Sequence, residues 1–176
     1  MLATDGSADR VFVADLSQAT FSSAAAGGAR VWSAPAQMQD LPELLGVANG
    51  TAGVSVASGT HLGILQGDSL TNVVVAVRLP STAGRGTPAL QDWVIATLPN
   101  DPSGAPWRTA THPDAVTSYV SPSSGKAVGL VVNETRTFIA AVELEDLLNA
   151  ARSGDHTASA SLDLVGGAIV KFVPIP

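Results

Sequence analysis

The chain has no cysteine among its 176 residues. That excludes disulfides, thiolate chemistry and Cys-ligated zinc together, and it leaves the compartment open. Charge is scarce too: Asp, Glu, Lys and Arg make up 14%, against about 25% in an average soluble protein. Lysine occurs only at Lys126 and Lys171, the arginines are scattered, and the net charge is −6. Phosphate binding needs clustered Lys and Arg, so the composition speaks against a nucleic-acid partner. No apolar run nears the roughly 20 residues of a membrane-spanning helix. The longest clean run, Val73 to Val77, has strand length. His61, His112 and His156 are the only histidines. None has HxH or HExxH spacing, so no metal is expected, and no motif calls for a cofactor.

What the chain does have is apolar side chains, at 45%, enough for one domain with a real core. It also repeats itself. Arg10-Val-Phe-Val-Ala-Asp-Leu16 is echoed by Val73-Val-Val-Ala-Val-Arg-Leu79 and by Thr137-Phe-Ile-Ala-Ala-Val-Glu-Leu144. Each is followed by a second apolar segment: Arg30 to Ala34, Trp93 to Thr97 and Ile169 to Val173. The first two copies align without a gap, Leu16 on Leu79 and Val31 on Val94, both at an offset of 63. A repeat means that one supersecondary unit is used several times.

The unit reads as a small sheet. In the last copy, Ala115 to Val120, a Ser121-Pro-Ser-Ser-Gly125 turn, Ala127 to Val132, Thr137 to Leu144 and Ile169 to Val173 follow in order. The middle copy has Gly53 to Ala57, Ser58-Gly59, His61 to Leu65, a Gly67-Asp68 turn, Val73 to Leu79 and Trp93 to Thr97. The segments are short, rich in β-branched residues and bounded by turn residues. Several are apolar on both faces, as strands sandwiched between neighbouring sheets require. The expected fold is all-β, with antiparallel four-stranded β-propeller blades in repeats 1–34, 53–97 and 115–174 of a single domain over 1–176. Gly59 matches Gly125, and a positive φ is expected at these turn glycines. Gly63 matches Gly129, where close approach of neighbouring blades is expected.

One segment breaks the pattern. Leu144, Leu147, Leu148 and Ala151 fall at i, i+3, i+4 and i+7, behind an acidic start and ahead of Arg152 and Gly154. That predicts a short helix before the last strand. Asp40-Leu-Pro-Glu-Leu-Leu45 is a second, weaker candidate for a helical turn. Met1 aligns with Ile64, inside a strand of the repeat. The sequence is therefore expected to start within a repeat, about two and a half blades in all, with further blades or self-association completing it. The N-terminus has no charged stretch leading an apolar run, so no signal peptide is read there.

His112-Pro-Asp-Ala-Val-Thr-Ser-Tyr-Val-Ser-Pro-Ser-Ser-Gly-Lys-Ala-Val-Gly-Leu-Val-Val-Asn133, with Thr137 to Leu144 behind it, resembles the YVTN-type bacterial β-propeller repeat. That repeat carries a His/Pro start, a Ser-Pro-x-Gly-Lys turn and a strand ending in Asp-Leu. Val13-Ala-Asp-Leu16 fits the last element, whereas Glu143 and Arg78 stand in place of its Asp. The resemblance implies a propeller fold and an extracellular or periplasmic location. It names no activity. Some related propellers are lactonases, but no motif for that chemistry is present.

The candidate ligand surface lies in loops. Trp107-Arg108, in the Pro/Gly-rich stretch Asn100 to Arg108, pairs an aromatic face with a cation. A tryptophan tucking the loop onto the blade is the competing reading. His112 lies nearby, and Asp68 and Asn133 follow second strands. Loops 35–52, 99–114 and 153–167 are long enough to carry function; the first two are expected on one rim and the third on the opposite rim. Other signals read as structure. Asp5-Gly-Ser-Ala-Asp9 opens like a calcium loop but has Leu16 where the closing glutamate belongs. Asp155-His156 with some serine makes a triad only at chance level. Leu79-Pro-Ser-Thr82 is a strand end, and Asn49-Gly-Thr51 and Asn133-Glu-Thr135 are bare sequons. The first strands hold no carboxylate or histidine. The expected function is therefore a non-catalytic module that binds a protein or carbohydrate. An enzyme of the lactonase or hydrolase kind and a purely structural surface segment are the alternatives.

Overall fold

The computed structural model describes residues 2–5, 10–14, 18–23, 30–33, 36–40, 51–67, 73–79, 92–98, 100, 102–104, 116–132, 137–150, 157–158 and 170–176. The described chain is mostly β. Its best-formed parts are two antiparallel four-stranded sheets and one short helix. The strands are β1 (Leu2–Asp5), β2 (Arg10–Ala14), β3 (Thr20–Ser23), β4 (Arg30–Ser33), β5 (Ala36–Asp40), β6 (Thr51–Val56) and β7 (Leu62–Gly67). They continue with β8 (Val73–Arg78), β9 (Asp92–Thr97), β10 (Val116–Val120), β11 (Ala127–Val132) and β12 (Phe138–Glu143). After α1 (Leu144–Ala150) come β13 (Thr157–Ala158) and β14 (Val170–Pro174).

The middle sheet runs β6-β7-β8-β9, with β13 added in parallel to β9. The last sheet runs β10-β11-β12-β14. Their central registers repeat. Leu62 faces Arg78 as Val128 faces Glu143, and Gln66 faces Val74 as Val132 faces Ile139. Four residues close the first hairpin of each sheet. Ala57 N–H donates to Leu62 O in one, and Ser121 N–H to Lys126 O in the other. Gly59 (φ 77°) and Gly125 (φ 71°) hold the left-handed conformation that these turns need.

The sheets stack face to face. Alternation along the strands sends Ile64, Val74, Ala76, Val94 and Ala96 toward the last sheet, where they join Val116, Val131, Ala140, Val142 and Val170 in one core. The opposite side of the middle sheet carries Leu65, Val75, Val77 and Ile95, packed with Val13 of β2. Val74 to Val77 are all fully buried, which explains why that run is apolar without alternation. At Gly129 the two sheets touch: a Cβ there would lie 2.6 Å from Ile64 Cδ1 and 3.1 Å from Leu144. A side chain here would force Ile64 to shift, so glycine suits this close contact. β10 lies against β6 and β7, while α1 packs on β7, β8 and β9 of the neighbouring sheet. Leu144, Leu147 and Leu148 are the buried face of that helix, as their spacing predicts.

The first sheet departs from the repeat. The sequence alignment makes Arg30 to Ala34 its last strand. In the structure β4 pairs with β3 as a separate hairpin, and β5 takes the place beside β2, Val13 opposite Gln37. The alignment also puts Met1 on Ile64. Instead Leu2 lies opposite Val13 as Ile64 lies opposite Ala76, one residue along. Connection length accounts for the shift. Six residues separate Thr4 from its hairpin neighbour Val11, and seven separate Gln66 from Val74; one residue fewer moves the register by one. Asp40 ends β5, and the helical turn expected over 40–45 otherwise lies outside the described residues.

Candidate functional site

Strand direction decides which loops share an end of the sheets. β6 leads up to the Gly59 turn and β10 to the Gly125 turn, so the ends of β7, β9 and β11 and the starts of β8, β10 and β12 all lie at the opposite end. The two sheets are oriented alike. Arg78, where β8 ends, pairs with Glu145, just past the end of β12, at 3.7 Å. Asp68 follows β7, Asn133 follows β11, and Trp107, Arg108 and His112 lie between β9 and β10. All five thus belong to connections anchored at one end. Their side chains lie outside the described residues. The described start of the Trp107 loop is an exposed turn, in which the Asn100 amide donates to Gly104 O at 3.3 Å and Gly104 has φ 84°.

The other end is built around charge. Lys126 leaves the Ser-Pro turn and donates to Glu143 at 2.5 Å and Asp146 at 2.7 Å. The hydrogen bond that Lys126 donates to Asp146, then that to Glu143, raises the Lys126 ammonium above its ordinary range. Reciprocally, the bond from Lys126 lowers the Asp146 carboxyl. The grouping fastens the start of α1 to the β10–β11 turn. In the middle sheet the Glu143 position is Arg78, which reaches α1 of the next sheet instead. Sequence reading singled out Glu143 and Arg78 as departures from Asp but paired neither. The signal was there: antiparallel pairing of β11 with β12 brings a Lys just before one strand beside the carboxylate that ends the other.

Between the sheets, Ser55 of β6 and Ser118 of β10 share a hydrogen bond of 2.7 Å. His61 is exposed at the end of the Gly59 turn. Trp93 packs half-buried with Leu65, Val75, Val77 and Ile95. β13 places two residues of the 153–167 loop along β9 of the neighbouring sheet, a pairing that sequence reading missed. Asp155-His156 lies outside the described residues. Among the described residues no three His, Asp or Glu side chains converge to hold a metal ion, and no helix is long and apolar enough to cross a membrane. No family model, curated protein or solved structure matches this chain.

Proposed function

We propose that the chain is a non-catalytic binding module of β-propeller type, of the YVTN-like kind, working in an exported bacterial protein. The location follows from the sequence resemblance alone. The observation that supports the module reading is the same-sense stacking of repeated sheets, in which the strand ends flanking the connections that contain Asp68, Asn133 and Trp107-Arg108-His112 lie at one end. Loops on a rigid stack of sheets are a common site of recognition. An aromatic face beside a guanidinium suits a sugar or an extended protein segment. The first strands of the two four-stranded sheets, β6 and β10, contain no Asp, Glu or His, which weighs against catalysis along the edges where those sheets meet.

The test is a glycan and peptide array probed with the wild-type chain, Trp107→Ala and Arg108→Ala. Either substitution is expected to abolish binding of the ligands found. A ligand that both variants hold as tightly as wild type overturns the choice of rim. Lactone or ester hydrolysis that copurifies with the chain overturns the non-catalytic reading.

A further inference from the structure

β9 and β14 are the fourth strands of the middle and last sheets, and their outer edges differ. The registers show which backbone groups lie on those edges. Leu79 N–H donates to His61 O, so β8 points the backbone groups of Val75 and Val77 at β7 and those of Val74, Ala76 and Arg78 at β9. Opposite these, Asp92, Val94 and Ala96 of β9 face β8. The N–H and C=O groups of Trp93, Ile95 and Thr97 therefore face outward. On β14, Ile175 N–H donates to Thr137 O. The same alternation turns the backbone of Val170, Phe172 and Pro174 outward.

An outward row of backbone groups is a template for another strand, and lysine and proline are common means of blunting it. β14 has both: Lys171 within the strand, and Pro174 at an outward position, where it offers no N–H. Among the described residues no strand lies beyond β14. β9 reads Asp-Trp-Val-Ile-Ala-Thr, with neither lysine nor proline. Its composition favours strand pairing and contains nothing that stops it. Two other groups occupy this edge. Asp92 Oδ1 accepts from the outward Trp93 N–H at 2.9 Å, and β13 runs parallel beside Ile95 and Ala96. The edge of β14 is thus protected by its own residues, and that of β9 by a strand from the connection between α1 and β14.

We infer that β13 is a displaceable cover that holds the β9 edge closed against β9 of a second copy of this chain. The register names the occupant. Laid antiparallel on its own copy about Ile95, β9 sets Ile95 opposite Ile95 and Trp93 opposite Thr97. The outward groups of the two strands then meet across a two-fold axis, with Trp93 N–H turned from Asp92 to the second copy. The cover is short, pairing two residues in the parallel sense, which is the weaker per residue. The antiparallel contact engages all three outward residues of each strand and joins two middle sheets into one. None of these residues belongs to the Trp107 rim, so failure of that site leaves the cover standing.

Sedimentation velocity and amide hydrogen exchange of the full chain test it. Thr157→Pro combined with Ala158→Pro leaves the cover without N–H donors. That variant should dimerise with a dissociation constant about tenfold or more below any the wild type shows, and its Ile95 amide should gain protection as the dimer forms. Adding Thr97→Pro removes an outward donor and no bond to β8, so it should abolish the gained association. Association no stronger than wild type overturns the proposal. So does association that Thr97→Pro leaves intact, or a dimer in which the Ile95 amide stays unprotected. If the proline pair unfolds the chain, exchange in the wild type decides. There the Ile95 amide, under the cover, should exchange about tenfold or more faster than those of Val94 and Ala96, which face β8. Equal protection of the three amides means that the cover does not open, and overturns the proposal.

Discussion

The middle and last sheets are built on the same register, yet one is buried on both faces and the other on one. Ile64 is fully buried and Leu130, its counterpart, is half-buried. Val74 is fully buried, and Ile139 in its place is half-buried. The chemistry at each pair is nearly the same. Burial here is therefore set by position in the stack and not by the strand's own sequence. A repeat can specify a sheet with two apolar faces while neighbours decide which of them is satisfied.

The sharpest way to break that comparison is to truncate both members of a pair. Ile64→Ala should cost about 2–5 kcal/mol, as for other fully buried aliphatic truncations. Leu130→Ala should cost about 1 kcal/mol, because its side chain is already partly in water. Urea unfolding at low protein concentration measures both. Equal losses would mean that the outward face is covered within the chain, and the asymmetry would be gone.

The contact between the sheets gives the next largest effect. Gly129→Ala drives a methyl against Ile64 and Leu144, and overpacking of this kind costs about 1–3 kcal/mol. Ile64→Val removes the nearest atom, Cδ1. Gly129→Ala should therefore be tolerated better on the Ile64→Val background, giving a coupling that a double-mutant cycle detects. Strict additivity would show that the two sheets do not meet there. At the turns the sheets should behave alike. Gly59→Ala and Gly125→Ala each meet open space but keep a positive φ, so each should cost about 1–2 kcal/mol from backbone strain alone. A neutral result at one turn only would separate the two hairpins.

Charge gives the smallest effect and concerns the last sheet alone. Asp146 is held below its ordinary value of 3.8, so its contribution is complete above that value and is lost as pH falls through the lowered one. Lys126 is raised above its ordinary 10.5, so its contribution is complete below that value and fades only as pH rises through the raised one. Stability should therefore fall on acidification below about pH 4, and Asp146→Asn should remove part of that slope. The groups are partly exposed, so the effect should be small and shrink with added salt. An unchanged acid limb in Asp146→Asn would show that the ion pair contributes nothing.

Much of this was legible beforehand, for physical reasons. Val73 to Val77 read as buried on both sides because no polar residue interrupts it. Gly59 and Gly125 announced their turns, Gly129 its close contact, and Leu144, Leu147 and Leu148 their helix. What escaped was set by context. β5 is Ala-Gln-Met-Gln-Asp, without the β-branched residues that mark a strand, and pairing with β2 defines it. Arg30-Val-Trp-Ser33 looks like a blade strand, yet it pairs with Thr20 to Ser23, the strand just before it in the chain. The two residues of β13 carry no signal without β9 beside them. For the candidate site, the sequence order of strands was enough to place the five residues on connections at one end. The connections themselves lie outside the described residues, and strand periodicity does not encode loop conformation.

The same-sense stack is the central claim, and the Ser55–Ser118 hydroxyl pair at 2.7 Å offers its most direct test. In a chain without cysteine, Ser55→Cys with Ser118→Cys places two thiols at that contact and no others. Mild oxidation of the folded double variant should give a complete intramolecular disulfide, read as a loss of two titratable thiols in a monomer by mass spectrometry. Two free thiols that persist in the folded protein under the same oxidation would contradict the packing of β6 against β10, and the stack with it.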